Sequence, residues 1–181
     1  MSGDAKLVAR LIALGAVRRG SDALLSAGGQ NNAEVSMRLL ADAGADVNAR
    51  MKKPYDETAL MRAAYLGAEA TVGALLDTGA DVNGANTFGE TALWLAARQN
   101  RPRVVELLLK RGADPNRLTR PNPQWFSDGG NALNVAVDKG CMECARLLLA
   151  RGADPRVADA NGRTPEDGAA QGWPAALIDV R

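Results

Sequence analysis

The sequence predicts an all-α solenoid of about five helix pairs, with an extra N-terminal capping helix and β-turn fingers projecting between the pairs. Three observations carry this prediction. The tripeptide Gly-Ala-Asp recurs at Gly44, Gly79, Gly112 and Gly152, at spacings of 35, 33 and 40 residues. A matching helix start recurs as Thr58-Ala59-Leu60, Thr91-Ala92-Leu93, Asn131-Ala132-Leu133 and Thr164-Pro165. The helical runs between these signals are each under about a dozen residues, too short to persist alone in water. Each run therefore needs cover from an adjacent copy, which is the logic of a stacked repeat.

Residues 90–116 show the unit most clearly. Thr91 is an N-cap residue, whose hydroxyl can accept from a first-turn amide that lacks an intrahelical partner. Leu93, Ala96 and Ala97 follow at helical spacing, the alanines small enough for a neighbouring helix to come close. Pro102 can open a second helix, because a first-turn position needs no amide donor. Val104, Val105, Leu107, Leu108 and Leu109 give that helix an apolar face, and Lys110 and Arg111 sit at the negative end of its dipole. Gly112 supplies the left-handed residue that ends it.

In chain order, residues 1–20 read as an N-terminal cap, with Lys6, Arg10, Arg18 and Arg19 on its outer face. Residues 21–173 divide into repeats at about 21–48, 49–83, 84–116, 117–156 and 157–173. In the first, Gly28-Gly29 weaken the opening helix. The first finger, 46–57, is two residues longer than the 81–90 finger; its helices are expected over 58–66 and 69–78. The third finger, 114–130, has seven extra residues, including Pro121, Pro123, Trp125, Phe126 and Asp128, and helices are expected over 132–139 and 142–150. A short last pair leads to a C-terminal capping helix in 174–181.

A 33-residue unit of one turn and two helices resembles the ankyrin repeat, over about residues 21–173. The resemblance implies binding of another protein through a concave surface made by finger tips and the exposed side of the first helices. Carried over by position, the contact candidates beside the tips are Tyr55, Glu57, Thr87, Phe88, Glu90 and Asp128. On the first helices they are Tyr65, Leu66, Arg98, Gln99, Asp138 and Lys139. Trp125 and Phe126, apolar residues in a proline-rich loop, need cover: they either anchor a partner or fold back as a lid. The family's Thr-Pro-Leu-His motif is altered, because its histidine position holds Met61, Trp94, Asn134 and Asp167. Only Asn134 offers a comparable hydrogen-bonding group, so a weaker finger network is expected, with Trp94 partly freed to line the groove.

Composition narrows the function classes. Net charge is +1, with 22 basic and 21 acidic residues interspersed, which argues against nucleic acid. No apolar run approaches a membrane span, and the 11–17 segment is flanked by charge, so a cytoplasmic location is expected. The chain has no histidine and two cysteines. A metal site, a Ser or Cys triad and a phosphate-binding glycine loop all lack their residues, so no cofactor and no catalysis are expected. Cys141-x-x-Cys144 opens the second helix of the fourth unit. Cys144 falls where Val104 sits one unit earlier and reads as core filler, while the pair also allows a redox-responsive switch. The reading is a protein-binding module, monomeric when unbound. A narrower alternative is an inhibitor or immunity-type protein that covers a toxin or effector enzyme.

Overall fold

The computed structural model describes residues 46–50, 56–122, 128–170 and 173. The expected caps at 1–20 and 174–181, the helix pair before residue 46, Tyr55, Trp125 and Phe126 lie outside the described residues. The helices that are described begin and end where the local signals place them. They are α1 (Ala59–Leu66), α2 (Glu69–Asp77), α3 (Ala92–Arg98), α4 (Pro102–Lys110), α5 (Ala132–Asp138), α6 (Met142–Leu149) and α7 (Pro165–Ala170).

Each first helix starts under a side-chain cap. The Thr58 hydroxyl accepts from the Met61 amide at 3.3 Å, Thr91 from Trp94 at 3.2 Å, and Asn131 from Leu133 and Asn134 at 2.9 and 3.2 Å. Such caps satisfy amides that would otherwise be orphaned, each contributing about 1 kcal/mol. Pro102 opens α4, and Gly112 follows it with φ 88°, a conformation that a side chain would strain.

Two rows of helices result. α1, α3, α5 and α7 pack in sequence as the first-helix row, and α2, α4 and α6 as the second. Pairs α1/α2, α3/α4 and α5/α6 bury Leu60, Leu75, Leu93, Leu95, Leu108, Leu133 and Leu148 between them. The alanine pairs Ala63-Ala64 and Ala96-Ala97 are fully buried and let adjacent first helices approach. Gly168 does the same for α7, since a Cβ there would lie 2.5 Å from Val137 Cγ1. Among the described residues there is no strand, only isolated antiparallel bridges that close the fingers at Arg50/Thr58, Ala85/Thr91 and Thr119/Gly130.

A ladder of asparagines fastens unit to unit. Asn48 Nδ2 donates to Gly79 O at 3.2 Å and Asn48 Oδ1 accepts from the Asp81 amide at 2.7 Å. Asn83 repeats both bonds with Gly112 and Asp114, at 3.2 and 2.8 Å. Asn116 repeats them with Gly152 and Asp154, at 2.8 and 2.7 Å. Each Asn amide is held in turn by the aspartate two residues earlier, as in Asn83 N to Asp81 Oδ1 at 2.9 Å. Gly-Ala-Asp-x-Asn is therefore a socket and a plug at once: its glycine carbonyl and aspartate amide receive the asparagine of the preceding unit.

Candidate partner-binding face

The face made by the fingers and the first helices holds the sequence-selected residues in three different states. Thr87, Leu66, Asp138 and Lys139 are exposed, and Tyr65, Phe88, Arg98, Gln99 and Asp128 are half-buried. Glu57, Glu90 and Trp94 are buried, at 8%, 0% and 1% exposure. Glu90 and Trp94 thus have no surface to offer a partner, and their roles as contacts are corrected to structural ones.

Trp94 is enclosed because α3 is flanked by α1, α4 and α5. Every residue from Ala92 to Ala97 is buried, so losing histidine at this position enlarged the core and did not free a groove residue. Glu90 is enclosed for a different reason. Its Oε2 accepts from Asn86 Nδ2 at 2.7 Å and its Oε1 from Asn122 Nδ2 at 3.0 Å, and Asn122 is itself fully buried. Asn86 Oδ1 accepts from the amides of Phe88 and Glu90 at 2.9 and 3.0 Å. The carboxylate thereby ties the second finger to the enlarged third one.

The expected weakening of the finger network is also corrected, because other groups replace the missing histidine. Arg50 NH1 donates to Ala85 O at 2.7 Å between the first and second fingers. The Arg120 amide donates to Phe88 O at 2.7 Å between the second and third. Asn134 Nδ2 donates to Val157 O at 3.0 Å, while its Oδ1 accepts from the Asn131 amide at 2.9 Å. Arg163 pairs with Asp128 at 2.8 Å between the third and fourth fingers, so Asp128 already has a partner within the chain.

Burial pushes the Glu57 carboxyl above its ordinary range; nearby Arg62 opposes the rise and the Glu90 charge adds to it. A raised pKa in the folded chain means the native state holds this proton more tightly than the unfolded one. The stability it contributes is present below the unfolded pKa of about 4.3 and is lost as pH rises through the folded value. Glu57→Gln is therefore expected to raise the melting temperature at pH 7 and to change it little at pH 4. Melts of both proteins across that range check it, and an effect that is equal at both ends would remove the linkage.

Sequence reasoning missed two features. Leu118, in the third finger, is 62% exposed, more than any other large apolar side chain among the described residues. Its signal was its position two residues after Asn116, where the earlier fingers have Arg50 and Ala85. Cys141 and Cys144 are joined in a disulfide and both are buried, so Cys144 is core filler as expected but neither is a free thiol. No cluster of metal-ligating side chains is present among the described residues, and no helix among them is long and apolar enough to cross a membrane.

Comparison with protein families matches residues 1–86, 30–119 and 82–159 to ankyrin repeats in three copies. The chain belongs to the ankyrin-repeat family. Ankyrin repeats are in general protein-interaction modules. Among similar proteins, Ankyrin repeat and SOCS box protein 6 of Mus musculus is 36% identical over 108 residues, 59% of this chain and 24% of that protein. Mitochondrial disaggregase of Bos taurus is 35% identical over 150 residues, 83% of this chain and 21% of that one. Cyclin-dependent kinase 4 inhibitor B of Homo sapiens is 37% identical over 113 residues, 60% of this chain and 73% of the inhibitor. This ankyrin-repeat chain thus spans less than a quarter of the first two relatives, so their likeness reaches only the repeats.

Proposed function

We propose that the chain is a non-catalytic module that binds another protein through the finger-and-first-helix face. The observation that carries the reading is apolar exposure on a fully packed scaffold. Leu66 and Leu118 are 40% and 62% exposed, with Tyr65 and Phe88 half-buried on the same helix row and fingers. Covering exposed apolar area is favourable, and aromatic side chains held on rigid elements add to it at little cost in rotamer freedom.

A narrower reading, that binding blocks an enzyme, is supported by the likeness to a protein named as a kinase inhibitor, of which the match covers 73%. An immunity-type protein against a toxin or effector is one form of it. The redox reading has less support, since both sulfurs are buried and an external thiol has no open approach to either.

The test is capture of a partner from the source cell, followed by affinity measurement with charged substitutions at exposed positions. Leu66→Lys with Leu118→Lys is expected to weaken binding at least about 10-fold, or about 1.4 kcal/mol, with melting unchanged. Met142→Lys, at an exposed position in the second-helix row, should leave affinity as it was. Equal retention of the partner by all three proteins would sink the assignment of the face.

A further inference from the structure

At the C-terminal end of this face, α5, α7 and the fourth finger line an open cavity of about 290 Å³. Val137, Pro165 and Trp173 form apolar walls, and Asp138, Asp159, Asp167 and Arg163 supply its charge. The volume lies just below the about 300–1,000 Å³ of small-molecule sites, a size that suits one long side chain better than a whole metabolite.

The polar groups in the cavity are unequally occupied. Asp167 Oδ2 accepts from the Thr164 amide and hydroxyl at 2.7 and 2.8 Å, so this carboxylate is used in capping α7. Asp159 Oδ1 accepts from the amides of Asn161 and Arg163 at 2.8 and 3.0 Å, and its Oδ2 from the Arg163 guanidinium at 3.0 Å. The same guanidinium also reaches Asp128 at 2.8 Å. Asn134 spends its amide on finger backbone. Asp138 is left with no hydrogen-bonded partner among the described residues. Its carboxyl is held above the ordinary range by burial, with Arg163 and Lys139 opposing and Asp159 and Asp128 adding to the rise. Asp138, Asp159 and Asp167 against the single guanidinium of Arg163 give the lining a net charge of −2.

Building on the protein-binding reading above, we propose that this cavity receives an arginine side chain of the partner, its guanidinium on Asp138 and its stem or plane against Trp173. Charge complementarity selects a cation. The indole wall favours arginine, whose planar, weakly hydrated head stacks on aromatic faces as an ammonium does not. A partner that fills the cavity contributes a partly solvated charge pair at one end of the interface while exposed apolar contacts act nearer the middle. That division separates specificity from affinity, because an unpaired Asp138 would penalise partners lacking the arginine.

The cavity can be tested without the partner. The probe is Nα-acetyl-arginine amide, titrated into the intact chain while the indole NMR resonances of Trp173 and Trp94 are followed. Trp173 is expected to shift and saturate in the millimolar range, with buried Trp94 unmoved as a check on the fold. Asp138→Asn should weaken that response at least about fivefold, as should raising salt from about 50 to 300 mM, because the pair is close to solvent. The neutral Nα-acetyl-norleucine amide should give no saturating shift. Absence of saturation with the arginine amide, an equal response to the neutral amide, or an unchanged response in Asp138→Asn would each overturn the proposal. Such a failure is distinct from failure of the protein-binding reading, which the Leu66 and Leu118 substitutions test separately.

Discussion

Trp94→Ala should destabilise the chain by about 3–5 kcal/mol, the range for deleting a large buried aromatic. Trp94 is among the largest fully buried side chains and sits on α3, which is packed against α1, α4 and α5. Removing it opens a void shared by consecutive units, and none of the three neighbouring helices can collapse into it without breaking its own contacts. Trp94→Phe is a sharper companion. The indole Nε1 is buried without a hydrogen-bond partner among the described residues. Phenylalanine gives up some volume but also removes that unsatisfied donor, which costs about 1–3 kcal/mol to bury. The substitution is therefore expected within about 1.5 kcal/mol of wild type. Urea denaturation measures both. Equal losses for Ala and Phe would mean that the indole nitrogen is hydrogen-bonded after all.

Glu90→Ala is the second large effect, expected at about 2–4 kcal/mol. The carboxylate is fully buried and receives two amide donors, from Asn86 and Asn122, and bonds to a charged acceptor contribute about 1.5–3 kcal/mol each. Alanine takes away the acceptor that both donors share. The damage should be local as well as global: amide exchange at Thr119 and Arg120, whose hydrogen bonds to Gly130 and Phe88 hold the third finger in place, should quicken before that of α4. Glu90→Gln keeps the shape but replaces one acceptor oxygen with a donor, and should cost less than alanine. A stability change under about 0.5 kcal/mol for alanine would show that the Asn86 and Asn122 amides find other partners.

The repeat architecture was readable in the sequence because its signals are local. Thr58, Thr91 and Asn131 cap whatever helix follows them, Pro102 can open one, and Gly112 ends one, each through the backbone of a few adjacent residues. The site was less readable, because it depends on contacts made across units. Trp94 was misplaced for this reason: periodicity assigns an α-helix one solvent face, but α3 is enclosed by three helices and buries residues 92–97 entirely. Glu90 was misplaced because its second partner, Asn122, lies 32 residues away in an irregular loop whose path no period predicts. The disulfide was not anticipated because the cysteine spacing suits a core thiol as well as a bonded pair.

The asparagine ladder has a consequence for how such chains change in length. Asn116 grips Gly152 and Asp154 with the same two bonds that Asn83 makes to Gly112 and Asp114, although seven additional residues intervene in the enlarged finger. The joint is thus indifferent to what is spliced between its halves. A whole unit duplicated in register presents identical mating parts at both new junctions, and a finger can be lengthened or recast without resetting the pitch of its neighbours. Binding specificity can diversify in the loops while the assembly rule stays constant.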